Sequence, residues 1–105
     1  MSARIAFTMK LHPGKEAEYR RRHDAIWPEL AALLKETGIE EYSIFLEEAT
    51  GVLFGYLRVG DPAKLDLLPA QAIMQKWWDH MKDIMDSNPD HSPVTIPLKE
   101  VFYLP

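Results

Sequence analysis

The sequence predicts an α+β fold with the element order β-α-β-β-α-β. Three observations predict it. Arg4 to Leu11 alternates apolar and polar residues with period two. A stripe at helical spacing runs from Tyr19 through His23 and Trp27 to Leu30, Leu33 and Leu34. Two further strand-type runs, Ile39 to Glu47 and Val52 to Gly60, are separated only by Glu48-Ala49-Thr50-Gly51, a hairpin-sized loop.

Each element has a local reason. In the first strand Ile5, Phe7, Met9 and Leu11 share one face, and His12-Pro13-Gly14 ends it. The period then predicts a helix from Gly14 or Lys15 to Thr37, stopped by Gly38. Pro28 lies inside it and removes the bond its N–H would make to the carbonyl of Asp24, so a kink is expected near Trp27. In the second strand Tyr42, Ile44 and Leu46 share a face. Asp61-Pro62 supplies an N-cap and an N1 proline for a second helical region. Pro69 divides that region into a short helix and a longer one from about Ala70 to Met85, with Ile73, Trp77, Met81 and Ile84 as its apolar stripe and Trp78 beside them. Asp86 to Pro97, with three prolines, reads as an ordered loop, and Leu98 to Leu104 as the last strand. This is the ferredoxin-like split βαβ pattern, an antiparallel sheet with both helices on one face. The other face would carry Phe45, Phe54 and Tyr56, which are large for a solvated surface; a homodimer packed sheet to sheet, or sharing strands, would cover it.

Composition narrows the function. The 105 residues fit one domain, 1–105, with a single core, and no repeat, low-complexity tract or boundary interrupts them. Twelve Lys and Arg against 16 Asp and Glu leave a net charge of −4, which gives nucleic acid or anionic lipid no global attraction. The basic run Arg20-Arg21-Arg22 follows Glu16 and Glu18, so Glu16–Arg20 and Glu18–Arg22 are i,i+4 pairs and the run reads as a solvated, paired helix face. The absence of cysteine excludes disulfides, thiol nucleophiles and thiolate metal sites, and fits a reducing compartment. With no apolar leader and no run of membrane-spanning length, a cytoplasmic location is expected. His12, His23, His80 and His91 have no metal-pair spacing and there is no HExxH; His80 and Asp83, at i,i+3, read as a surface pair, and His12 and His91, beside loop prolines, as solvated. The five glycines are scattered, so no phosphate loop exists, and no hydroxyl residue sits in a nucleophile elbow. The residues support neither a bound metal nor an ATP or dinucleotide cofactor.

What remains is His23 among aromatics. It titrates near neutrality, with an ordinary pKa of about 6.5, and it points along an apolar stripe rather than into water. If both helices cover one sheet face, Tyr19 and His23 from the first, Tyr42 from the sheet and Trp77 and Trp78 from the second converge on one cavity. A mostly apolar cavity with a few polar groups is what a small-molecule site looks like, and aromatic faces suit sugars. A histidine on an apolar stripe is more often a hydrogen-bonded structural residue than a catalyst, and adjacent tryptophans rarely face one ligand. The residues by themselves therefore indicate a small α+β domain with a possible acid–base pocket and name no substrate.

Four segments in order carry a resemblance: Arg21-Arg22-His23-Asp24-Ala25-Ile26-Trp27-Pro28-Glu29-Leu30, Gln75-Lys76-Trp77-Trp78, Ser87-Asn88-Pro89-Asp90 and Glu100-Val101-Phe102-Tyr103-Leu104-Pro105. Together they resemble the L-rhamnose mutarotase family over nearly the whole chain; Gly60 to Ala70 matches nothing. The resemblance implies a cytoplasmic homodimer of dimeric α/β-barrel type, without metal or cofactor, that interconverts the α and β anomers of L-rhamnose in rhamnose catabolism. By motif position it implies that His23 is the proton donor and that Tyr19, Tyr42, Trp77 and Trp78 bind the sugar. The rival readings are a cofactor-free or haem-handling oxygenase, since small dimers of this order also host that chemistry, and a non-catalytic sugar-binding module.

Overall fold

Four strands form one antiparallel sheet in the order β2-β3-β1-β4, with β1 Ala3–Lys10, β2 Ile39–Glu47, β3 Val52–Val59 and β4 Ile96–Leu98. The computed structural model describes residues 2–105. Among these residues the sheet is joined by three α-helices, α1 Glu16–Asp24, α2 Pro28–Glu36 and α3 Ala72–Met81, and a 3-10 segment, Pro62–Ala70. The expected α+β, ferredoxin-like order is present. β3 is central, pairing along its whole length with β1 (Ala3↔Val59 to Lys10↔Val52) and with β2 (Ile39↔Val59 to Glu47↔Val52). The core lies on one face of this sheet, where Met9, Leu11 and Leu53 pack with Tyr19, Leu30 and Trp77.

Three sequence expectations are corrected. The helix expected to run with a kink from residue 14 or 15 to Thr37 is two helices. A residue before proline is driven out of the helical region, and Trp27 is extended (φ −63°, ψ 131°), so Pro28 opens α2 at its first turn instead of bending a continuous helix. Ala25 and Ile26 close α1 with bonds to the carbonyls of Arg21 and His23. The second correction is at α3, which ends at Met81 and not at Met85: Met85 bridges to Leu11 and the N–H of Asp86 donates to the carbonyl of Lys10, so the chain is drawn out along the end of β1. The third is the last strand, which is Ile96–Leu98 and not Leu98 to Leu104. Pro97 is tolerated there because β4 is an edge strand, paired only to β1. The alternating segment beyond it, 99–105, is an exposed tail held on the sheet by Arg4, whose guanidinium pairs with Glu100 at 2.6 Å and lies 3.5 Å from the centre of the Tyr103 ring.

Candidate active site

Between the sheet and the helices lies a cavity of about 1100 Å³. All five residues singled out from the sequence line it: Tyr19 and His23 from α1, Tyr42 from β2, and Trp77 and Trp78 from α3. Trp27 does not; it packs on the core, edge-on to Trp77 at 5.1 Å and beside His80 at 5.3 Å. Of the stripe read from the sequence, Tyr19, His23, Leu30 and Leu34 line the cavity, while Trp27, at the helix break, is turned away from it.

His23 is fixed by its own helix. The stacked Tyr19 ring lies 4.2 Å away, and the Trp77 ring meets the imidazole edge-on at 5.4 Å. Nδ1 stands 3.0 Å from the carbonyl oxygen of Tyr19. A carbonyl only accepts, so Nδ1 carries the hydrogen and Nε2 is left as the reactive nitrogen. Burial pushes the imidazole pKa down, opposed by the Tyr19 carbonyl and the charge of Asp24. The same loss of water raises both phenols, that of Tyr42 to about 12 and that of the buried Tyr19 further. Tyr42 keeps 38% of its surface open and lines the cavity. Both tyrosines therefore stay neutral near pH 7 and present O–H groups.

Two backbone devices aim Tyr42, and sequence periodicity misses both. A β-bulge lies between Ile39 and Glu41, so Glu40 is an extra residue opposite β3, and Glu40 and Glu41 both pair with Arg58, at 3.3 Å and 3.6 Å. The inserted residue lets Ile39 bury on the helix side while Tyr42, three positions on, faces the same way. The second device is Gly55. A Cβ there would stand 2.5 Å from Cζ of Phe7, so only glycine lets the Phe7 ring lie across β3, where it meets Tyr42 edge-on at 6.3 Å. A close pairing of glycine with an aromatic residue on the neighbouring strand is the only sequence signal that could have revealed it.

Arg22 also departs from expectation. Of the basic run it is the member that is not solvated: its side chain is 10% exposed and reaches Asp83 and the His80 carbonyl beyond its own helix, besides Glu18. Among the described residues no three His, Asp or Glu side chains gather as metal ligands. His12 pairs with Asp86 at 3.1 Å and His91 approaches Asp79 at 3.7 Å, and neither histidine lines the cavity.

Comparison with known proteins gives the arrangement its family. Residues 4–104 match the family model described as L-rhamnose mutarotase. The chain belongs to the L-rhamnose mutarotase family. A family member from Brucella anthropi is 56% identical over 102 residues, which is 97% of this chain and 96% of that one. The crystal structure of an L-rhamnose mutarotase from Formosa agariphila superposes with a TM-score of 0.91 at 50% identity, covering 98% of this chain and 99% of the other. An antibiotic biosynthesis monooxygenase, 14% identical with a TM-score of 0.51 over 96% of this chain and 99% of that one, shares the fold alone. The resemblance to the mutarotase family drawn from four sequence segments is thereby shown, while the oxygenase reading gains only an architecture. No helix among the described residues is long and apolar enough to cross a membrane.

Proposed function

We propose that this chain is an L-rhamnose mutarotase, an isomerase that interconverts the α and β anomers of L-rhamnose in rhamnose catabolism, and that the cavity is its active site. One observation carries the proposal: relatives of this name share half or more of their residues with the chain along nearly its full length. The geometry supports a route. Opening a cyclic hemiacetal needs a proton delivered to the ring oxygen and the anomeric hydroxyl deprotonated. As the C1–O5 bond breaks, its electrons stay on the protonated ring oxygen, while those of the O1–H bond form the aldehyde. The C1–C2 bond then rotates, and reclosure on the other face returns both protons. His23 is the proton donor in this reading, acting through Nε2 while Nδ1 is held by Tyr19. Because both phenols are raised, neither tyrosine serves as a phenolate base, and the anomeric proton leaves to water. Tyr19 and Tyr42 hydrogen-bond the sugar hydroxyls, and Trp77 and Trp78 hold its apolar face and 6-methyl group. The reaction calls for no metal and no cofactor.

The same reading places the protein in the cytoplasm as a homodimer of dimeric α/β-barrel type, built from the one domain 1–105. The outer sheet face, with Phe45 and Phe54, and the tail with Val101 and Phe102 are exposed apolar surface that a second copy would cover.

Saturation-transfer NMR with L-rhamnose, L-fucose, D-ribose and D-galactose tests the activity. Accelerated anomer exchange is expected with L-rhamnose. Sugar binding without acceleration would leave a binding module instead. His23→Ala is expected to slow exchange about 10²-fold or more while the protein stays folded; exchange at the wild-type rate would remove His23 from the mechanism.

A further inference from the structure

Arg22 takes no part in the chemistry described above, and its side chain does not line the cavity. It is nevertheless the most heavily bonded side chain on α1. Nε donates to Glu18 in its own helix at 2.6 Å. The other contacts leave that helix: Nη1 and Nη2 donate to the two carboxylate oxygens of Asp83 at 2.8 Å and 3.1 Å, and Nη1 donates to the carbonyl oxygen of His80 at 2.6 Å. His80 lies in the last turn of α3, where carbonyls lack an intrahelical donor and the helix dipole favours a cation. The guanidinium thus caps α3 from α1, and its forked contact with Asp83 fixes direction as well as distance.

The cavity gives this tie a purpose. The hydrogen bond that orients His23 runs to Tyr19 and so fixes the imidazole relative to α1 only. Across the gap to α3 the imidazole meets Trp77 through an edge-on apolar contact at 5.4 Å, which resists sliding weakly. We propose that Arg22 is a positioning residue for the reaction: it locks α1, which carries His23, to the end of α3, which carries Trp77 and Trp78. The proton donor is thereby held in register with the sugar that the tryptophans hold. The inference rests on His23 being the donor.

The two carboxylate partners separate this role from simple stabilisation. Asp83→Asn weakens the bond from α1 to the turn that follows α3, and Glu18→Gln weakens the one within α1, each with little change of shape. Exchange kinetics on L-rhamnose are measured for both, below both melting temperatures. Asp83→Asn is expected to lower kcat about tenfold, with KM changed by less than about twofold, as befits a misplaced reacting group. Glu18→Gln is expected to keep kcat within about twofold of wild type although it also lowers the melting temperature. Should Asp83→Asn not fold, Arg22→Lys, which cannot reproduce the fork, takes its place with the same expectation. An unchanged kcat in Asp83→Asn, or equal losses in the two carboxylate variants, overturns the proposal. His23→Ala is run alongside: wild-type exchange in that variant defeats the donor reading itself. Lost exchange there with full kcat in Asp83→Asn defeats only the role of Arg22.

Discussion

On the helix side of the sheet Leu53, Leu57 and Val59 are 2%, 5% and 0% exposed; on the opposite side Phe45 and Phe54 are 66% and 39% exposed. Both faces carry large apolar side chains, although the outer one also holds Arg4, Thr8, Lys10 and Arg58, so a large apolar residue does not by itself tell the faces apart. The connections do. β1 is joined to β2 through α1 and α2, and β3 to β4 through the 3-10 segment and α3, and the core shows these connections packed on the same side. That side is covered by the chain's own helices and holds the cavity between the layers. The other side stays exposed, and it is the surface that the proposed second copy would cover. The contrast teaches that the crossovers decide which face of the sheet becomes core and which stays exposed, and that the cavity lies on the face they cover.

The largest expected effect tests the covered face. Trp77 is 7% exposed and part of the core, so the residue that would hold the sugar also holds the fold. Trp77→Ala is expected to cost about 3–5 kcal/mol of stability besides weakening sugar binding, read by a melting curve beside a binding titration. Phe45→Ala, at dilution where the chain is monomeric, is expected to stay within about 0.5 kcal/mol of wild type and to act instead on self-association, read by sedimentation. A Phe45→Ala protein that melts as low as Trp77→Ala would break the contrast.

A smaller effect is expected at Gly55, where the covered face has no room. An added methyl must push the Phe7 ring away, so Gly55→Ala is expected to cost about 1–3 kcal/mol and to weaken sugar binding through Tyr42. Gly55→Ala with Phe7→Leu should recover much of the stability, because the clash is with the far end of that ring. A double variant no more stable than the single one would show that the strain lies elsewhere.

Much of this was legible in the sequence, for identifiable reasons. Period-two alternation locates β1, and the four-residue turn locates the hairpin, because these patterns are local. The five cavity residues follow from a stripe and a sheet face once both helices lie on one side. What escapes depends on tertiary partners. Leu98 to Leu104 alternates as a strand would, yet Arg4 takes Glu100 and Tyr103 into other contacts and the ladder stops at Leu98. The bulge beside Glu40 leaves no mark on composition, and without it a strict alternation would turn Ile39 and Tyr42 to opposite faces. Arg22 looked like one of three equivalent arginines because its second set of partners lies some sixty positions away, at His80 and Asp83.

The smallest effects are titrations, and they probe the inner face without changing a residue. Burial holds the His23 pKa below its ordinary value of about 6.5, so between the folded value and 6.5 the unfolded chain binds more protons than the folded one. His23's share of stability is therefore complete above 6.5, declines as pH falls through the folded value, and levels off below it. The carboxylates beside Arg22 act in a separate window: Glu18 and Asp83 are held down to about 2 by their hydrogen bonds to arginine, so their contribution persists until pH falls from about 4 toward 2. Melting temperature against pH should show both declines, and His23→Gln should remove only the upper one. Activity runs the opposite way in the upper window. If protonated His23 delivers the proton, kcat/KM, corrected for uncatalysed exchange, falls as pH rises through a midpoint below 6.5, where stability is rising. A kcat/KM that climbs with pH through that midpoint would make His23 the base that takes the anomeric proton, and the ring oxygen would then draw its proton from water or a neutral tyrosine on the same wall.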